Sequence, residues 1–185
     1  MNKEFIVLLQ KSIGSTSIGP STARGMGPKG TIQSARSYLQ EFDLRAIKSS
    51  SESAFLLNLE SFTNGLKRCL PKKAQHWGSS RKFLNIFIRG CLYNRYICDH
   101  YGLEKLEPWL EIPLDSHVAK GLMLEKGSEV LPRWETVIGL KPEDSNSFQK
   151  FARIVADRKN TSRIHLDLLY FRGAHMNNKL INRTC

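Results

Sequence analysis

The sequence predicts an all-α protein folded as a single compact helical domain. Three observations lead there: apolar residues recur at helical spacing along most of the chain, no convincing stretch alternates as a half-buried strand would, and no internal repeat is present. A chain of 185 residues with 41% hydrophobic content suits one compact domain with a sizeable core better than two domains. The helical domain is assigned to residues 1–172, and "GAHMNNKLINRTC" at 173–185 reads as a polar C-terminal tail.

The first helix is expected over residues 3–13. It stops at "GSTSIGPSTARGMGPKGT", where five glycines and two prolines between 14 and 31 mark a loop. "TIQSARSYLQEF" then places Ile32, Ala35, Tyr38, Leu39 and Phe42 on or near one helical face. A polar linker, "KSSSES", leads into the helical segment "AFLLNLESFTNGLKRCL". The longest apolar stretch, "SSRKFLNIFIRGCLYNRYICDHY" at 79–101, carries bulky residues on more than one side, as a central helix packed by several neighbours must. Helices near 115–124, 143–159 and 163–172 complete the set.

Twenty-eight Lys and Arg against seventeen Asp and Glu leave a net charge of +11, a field that attracts phosphates or anionic lipid. The apolar run Phe5 to Leu9 is too short for a signal-peptide core or a membrane span, so an intracellular, cytoplasmic protein with no membrane partner is expected. Cysteines at 69, 91, 98 and 185 form no CxxC pair and no zinc-ligand spacing with the five histidines. No metal and no cofactor are therefore expected, and Cys91 and Cys98 are read as buried free thiols in a reducing compartment. "GMGPKGT" fails as a P-loop because Gly30 separates Lys29 from Thr31 and no strand precedes it. Arg24 and Lys29 in this glycine-bearing loop still suit contacts to a nucleic-acid backbone.

Lys82, Asn85 and Arg89 stand at i, i+3 and i+7 on the central helix, a polar stripe on an otherwise apolar element. Thirty-three residues beyond Lys82, Asp115 in "EIPLDSHVAKGL" opens a helix, where a carboxylate serves as a cap and can also face a substrate. The spacing leaves room for a long helix, a short connection and a return.

"SSRKFLNIFIRGCLYNRY", "IPLDSHVAKGL" and "RIHLDLLYFRG" together resemble the archaeal 8-oxoguanine DNA glycosylases of the helix-hairpin-helix superfamily. In that family a lysine opens a helix, a proline-aliphatic-aspartate stretch follows about three dozen residues later, and a closing helix carries His-Leu-Asp. Here those elements are Lys82, "PLD" at 113–115 and "HLD" at 165–167, in scattered pieces over roughly 78–172. The resemblance implies a helix-hairpin-helix glycosylase-like fold and a DNA partner. It also implies base excision through a Schiff base, with Lys82 as nucleophile and Asp115 as the anion beside the sugar. Arg81, Arg89 and Lys120 join Arg24 and Lys29 as nucleic-acid-binding candidates. Trp77, Trp109 and Trp134, with Phe83 and Tyr93, are candidates to stack an extruded base. His165 and Asp167, two apart on one helix, are expected to point in different directions and to be structural. Unlike the family's hairpin, whose glycine amides grip a phosphate, the segment from Leu103 to Asp115 has no glycine. The alternative is a non-catalytic DNA-binding or complex-forming protein that retains the fold, and an RNA-binding module lacks any aromatic platform signature.

Overall fold

The computed structural model describes residues 2–127 and 129–170, and every regular element among them is helical. Among the described residues seven α-helices are bounded at both ends: α1 (Lys3–Thr16), α2 (Thr31–Gln40), α3 (Glu52–Cys69), α4 (Trp77–Tyr93), α5 (Arg95–Tyr101), α6 (Ser116–Glu125) and α7 (Pro142–Arg158). Short 3-10 turns lie at Leu44–Ile47, Lys72–Ala74, Leu103–Trp109 and Arg163–His165, the last running into helical residues 166–170. The tail at 173–185 and the end of the helix expected over 163–172 lie outside the described residues.

Local chemistry sets most of the boundaries. Asn2 caps α1 through the amide of Glu4, and Ser51 caps α3 through that of Ala54, so "KSSSES" is partly a helix start rather than a linker. Glu52, in the first turn of α3, reaches across to Arg153 of α7. The single helix expected over 79–101 is corrected to two. Asn94 ends α4 and its side chain accepts from the Ile97 amide 3.2 Å away, so one residue stops one helix and caps the next.

Two apolar cores result. One gathers Leu39, Phe55, Phe83 and Phe87 from α2, α3 and α4; the other gathers Leu114, Val118, Phe148 and Phe151 around α6 and α7. Each fully buried Phe contributes roughly 1.5–3 kcal/mol through loss of apolar surface from water. Phe83, a stacking candidate, is one of these and has no access to solvent. The N-terminal end of α4 lies against the segment that follows α6. A Cβ on Gly78 would fall 2.1 Å from the carbonyl oxygen of Val137, so only glycine allows this approach.

Between the turn at Leu103–Trp109 and α6, residues 110–114 run without regular structure yet are all buried. Their backbone groups need partners there, and side chains from the C-terminal third supply them. Gln149 of α7 accepts from the Ile112 amide at 3.0 Å and donates to its carbonyl at 2.8 Å, taking the place of a neighbouring strand. Buried Arg163 donates to the carbonyls of Leu110 and Trp109. Asp115 is delivered by this pinned segment. Gln149→Leu strands a buried donor and acceptor, so unfolding should become easier by about 2–5 kcal/mol. Denaturant titration reads this, and a loss under about 1 kcal/mol would mean that water replaces the side chain.

Candidate active site

Lys82 and Asp115 meet in one cleft of about 830 Å³. It opens at the seam between the two cores, with Lys82, Ile86 and Arg89 of α4 on one wall and Asp115, Ser116 and His117 at the start of α6 on another. The loop carrying Thr22, Arg24, Gly25 and Met26, the segment Thr136 to Ile138, and Asp167 with Leu168 close the remaining sides.

Asp115 divides its two carboxylate oxygens between tasks. Oδ1 accepts from the amides of His117 and Val118 at 3.0 and 3.1 Å and so caps α6. Oδ2 lies 3.4 Å from Lys82 Nζ. The cap fixes the carboxylate's direction, and the lysine comes to it from α4.

Lys82 is 7% exposed, and its ammonium also donates to the Thr22 carbonyl at 3.4 Å. Burial pulls its pKa below the ordinary lysine value because the charged form loses hydration, while Asp115 pushes the other way. The net direction is downward, which raises the share of free amine at a given pH. A free amine is the nucleophilic form.

Arg89, two turns along α4, pairs with Asp167 in the same cleft. Asp167, expected from the sequence to be structural, makes this ion pair at the cleft wall. The expectation that His165 and Asp167 diverge agrees with their positions. His165 bridges the Tyr93 hydroxyl at 2.8 Å and Glu107 at 3.0 Å, with its ring stacked on that of Tyr93.

Other expectations for this site are corrected. Arg81 cannot hold phosphate as it stands. It is 7% exposed, lies over the Trp77 ring, and bonds Glu60 and Thr63 at 2.9 Å, with Glu111 3.4 Å away. Asn85 donates to the same Glu111, so the polar stripe splits: Lys82 and Arg89 face the cleft while Asn85 joins a buried network. None of the three tryptophans lines the cleft with Lys82. Trp77 donates to Glu60, Trp109 packs near Phe55, and Trp134 stands edge-on to Phe148 beside a smaller cavity. The apolar lining comes instead from Met26, Ile86, Val137, Ile138 and Leu168. Arg24 is at the wall, whereas Lys29 and Lys120 are exposed outside it.

Among the described residues no helix is long and apolar enough to cross a membrane, and no group of three or more His, Cys, Asp or Glu is placed to hold a metal ion. Cys69, Cys91 and Cys98 are free, and burial raises the Cys91 thiol well above its usual range. Comparison with family models, with curated proteins and with solved structures gave no match for this chain.

Proposed function

We propose that the protein is a DNA glycosylase with lyase activity, excising a damaged or modified base through a Schiff base on Lys82. The observation that carries this reading is a buried lysine of lowered pKa, 3.4 Å from a carboxylate held by a helix start, in a cleft of about 830 Å³. That volume accommodates a nucleotide turned out of a duplex, a step that such chemistry requires. The net charge of +11 supports a polyanionic partner.

With its pKa lowered by burial, Lys82 reacts as the free amine, which forms a bond to C1′ of the sugar as the bond from C1′ to the base breaks and the base leaves with the bonding electrons. Asp115, anionic at the outset, stabilises the positive charge that develops on the sugar. The C1′–O4′ bond then breaks as a proton passes from Nζ to O4′, which opens the ring and leaves a protonated imine between Nζ and C1′. Loss of a proton from C2′ then expels the 3′ phosphate and cuts the strand. Hydrolysis frees the lysine.

Borohydride trapping tests this directly. The protein is incubated with duplexes bearing different lesions or an abasic site, and a covalent adduct is expected on at least one. The trapping rate should rise with pH and level off below the ordinary lysine pKa of about 10.4, because burial has lowered that of Lys82. Absence of an adduct on every duplex, with DNA still bound, would leave a non-catalytic DNA-binding protein.

A further inference from the structure

We propose that the surface built from the glycine loop at 24–30 and the turn at 71–74 grips the phosphate backbone of duplex DNA and leads it to the cleft. The proposal rests on the DNA reading above and adds where the duplex lies. Its centre is Lys29, Lys72 and Lys73, all exposed, with Arg68 at the end of α3 and Arg24 at the cleft wall.

Backbone contact brings these residues together. A Cβ on Gly27 would meet that of Ala74 at 2.4 Å, and one on Gly30 would touch Pro71, so the loop carrying Lys29 lies directly on the turn carrying Lys72 and Lys73. Gly25 and Met26 of the same loop line the cleft beside Lys82. A strand held here therefore continues into the cleft.

The surface is cationic because both of its parent segments lack acids. No Asp or Glu occurs between Glu4 and Glu41, nor between Glu60 and Asp99. Glu60, the flanking carboxylate nearest the turn in sequence, is already engaged by Trp77 and Arg81. The segment before Asp115 has the opposite character. Residues 102–112 carry Glu104, Glu107 and Glu111 against the single cation Lys105, and no glycine lies between Leu103 and Asp115 to bring amides close to a phosphate. Glu111 is buried against Arg81 and Asn85, and Glu107 is bonded to Ser162 and His165, which leaves Glu104 beside Lys105; this segment offers a phosphate no net positive charge, whereas the lysine surface does.

A cationic surface also attracts anionic lipid, but membrane docking needs apolar side chains to insert. None of the exposed large apolar residues belongs to 24–30 or 68–74, which favours the duplex.

The test compares two triple variants of the full chain for binding to an undamaged duplex across a salt series. Lys29→Gln with Lys72→Gln and Lys73→Gln removes the surface. Lys105→Gln with Lys126→Gln and Lys150→Gln removes the same charge from other exposed positions. The surface variant should bind more weakly, its log–log salt slope shallower by about 0.9 for each phosphate it no longer neutralises, while the control keeps the wild-type slope. Equal weakening in both variants, or an unchanged surface variant, would overturn the proposal. So would wild-type protein that prefers anionic vesicles to duplex. Wild-type trapping on a lesion together with an unchanged slope in the surface variant overturns the surface alone, whereas a wild type without salt-dependent DNA binding overturns the DNA reading and this surface with it.

Discussion

Lys82→Gln is expected to abolish both the borohydride-trapped adduct and strand cleavage, and to leave DNA affinity near that of the wild type. An amide cannot form the imine, whereas one charge among twenty-eight basic residues changes the field little. Glutamine can still donate toward Asp115 and the Thr22 carbonyl, the two acceptors that Lys82 now reaches, so the cleft should keep its shape. Trapping by the variant at the wild-type rate would show that another amine attacks. Lys120 is the next amine on the helix of Asp115, but it is exposed outside the cleft. Trapping and DNA binding that fall together would instead point to a collapsed cleft, which the melting temperature would reveal.

Asp115→Asn should lower excision on the order of 10²-fold, the scale of losing one group that stabilises charge in a transition state. The substitution separates two explanations. Asp115 raises the pKa of Lys82, so its removal should increase the share of free amine. A role confined to keeping the lysine protonated would thus predict a faster reaction. A slower one requires the carboxylate itself, as the anion beside the sugar. The cap supplies an internal control, because Asn caps a helix about as well as Asp, whereas Asp115→Ala should lose about 1 kcal/mol more through the amides of His117 and Val118. For a chain of this size that difference corresponds to roughly 2–4 °C in melting temperature. Excision by Asp115→Asn at or above the wild-type rate would remove Asp115 from the chemistry.

Much of the helical order is legible without coordinates, since helix starts and stops rest on local interactions. Ser51, Asp115 and Pro142 mark starts by the hydrogen bonds they accept or the dihedral they impose, and apolar spacing along α2, α3 and α7 selects their inward faces. The break at Asn94 is not legible in this way, because an asparagine inside an apolar run is tolerated in a helix interior, and only packing on both sides selects the cap. That Lys82 and Asp115 could meet is an inference from order and spacing. Their approach to 3.4 Å depends on Gln149 and Arg163 pinning residues 109–112 from the far end of the chain, which no local pattern records.

All-helical character, basic charge and the capping role of Asp115 follow from residue type and near neighbours alone, so the amino-acid order suffices for them. Which polar residues of α4 face the cleft is settled only by tertiary packing. Lys82 and Arg89 face it, while Arg81 and Asn85 turn to Glu111. Residues one position apart on a helix differ by about 100° in direction, and which direction is open depends on what packs against each side. The same holds for the tryptophans: their size suits a base pocket, but a large aromatic surface is equally well buried against Arg81, Phe55 or Phe148, and the neighbours brought by folding made that choice.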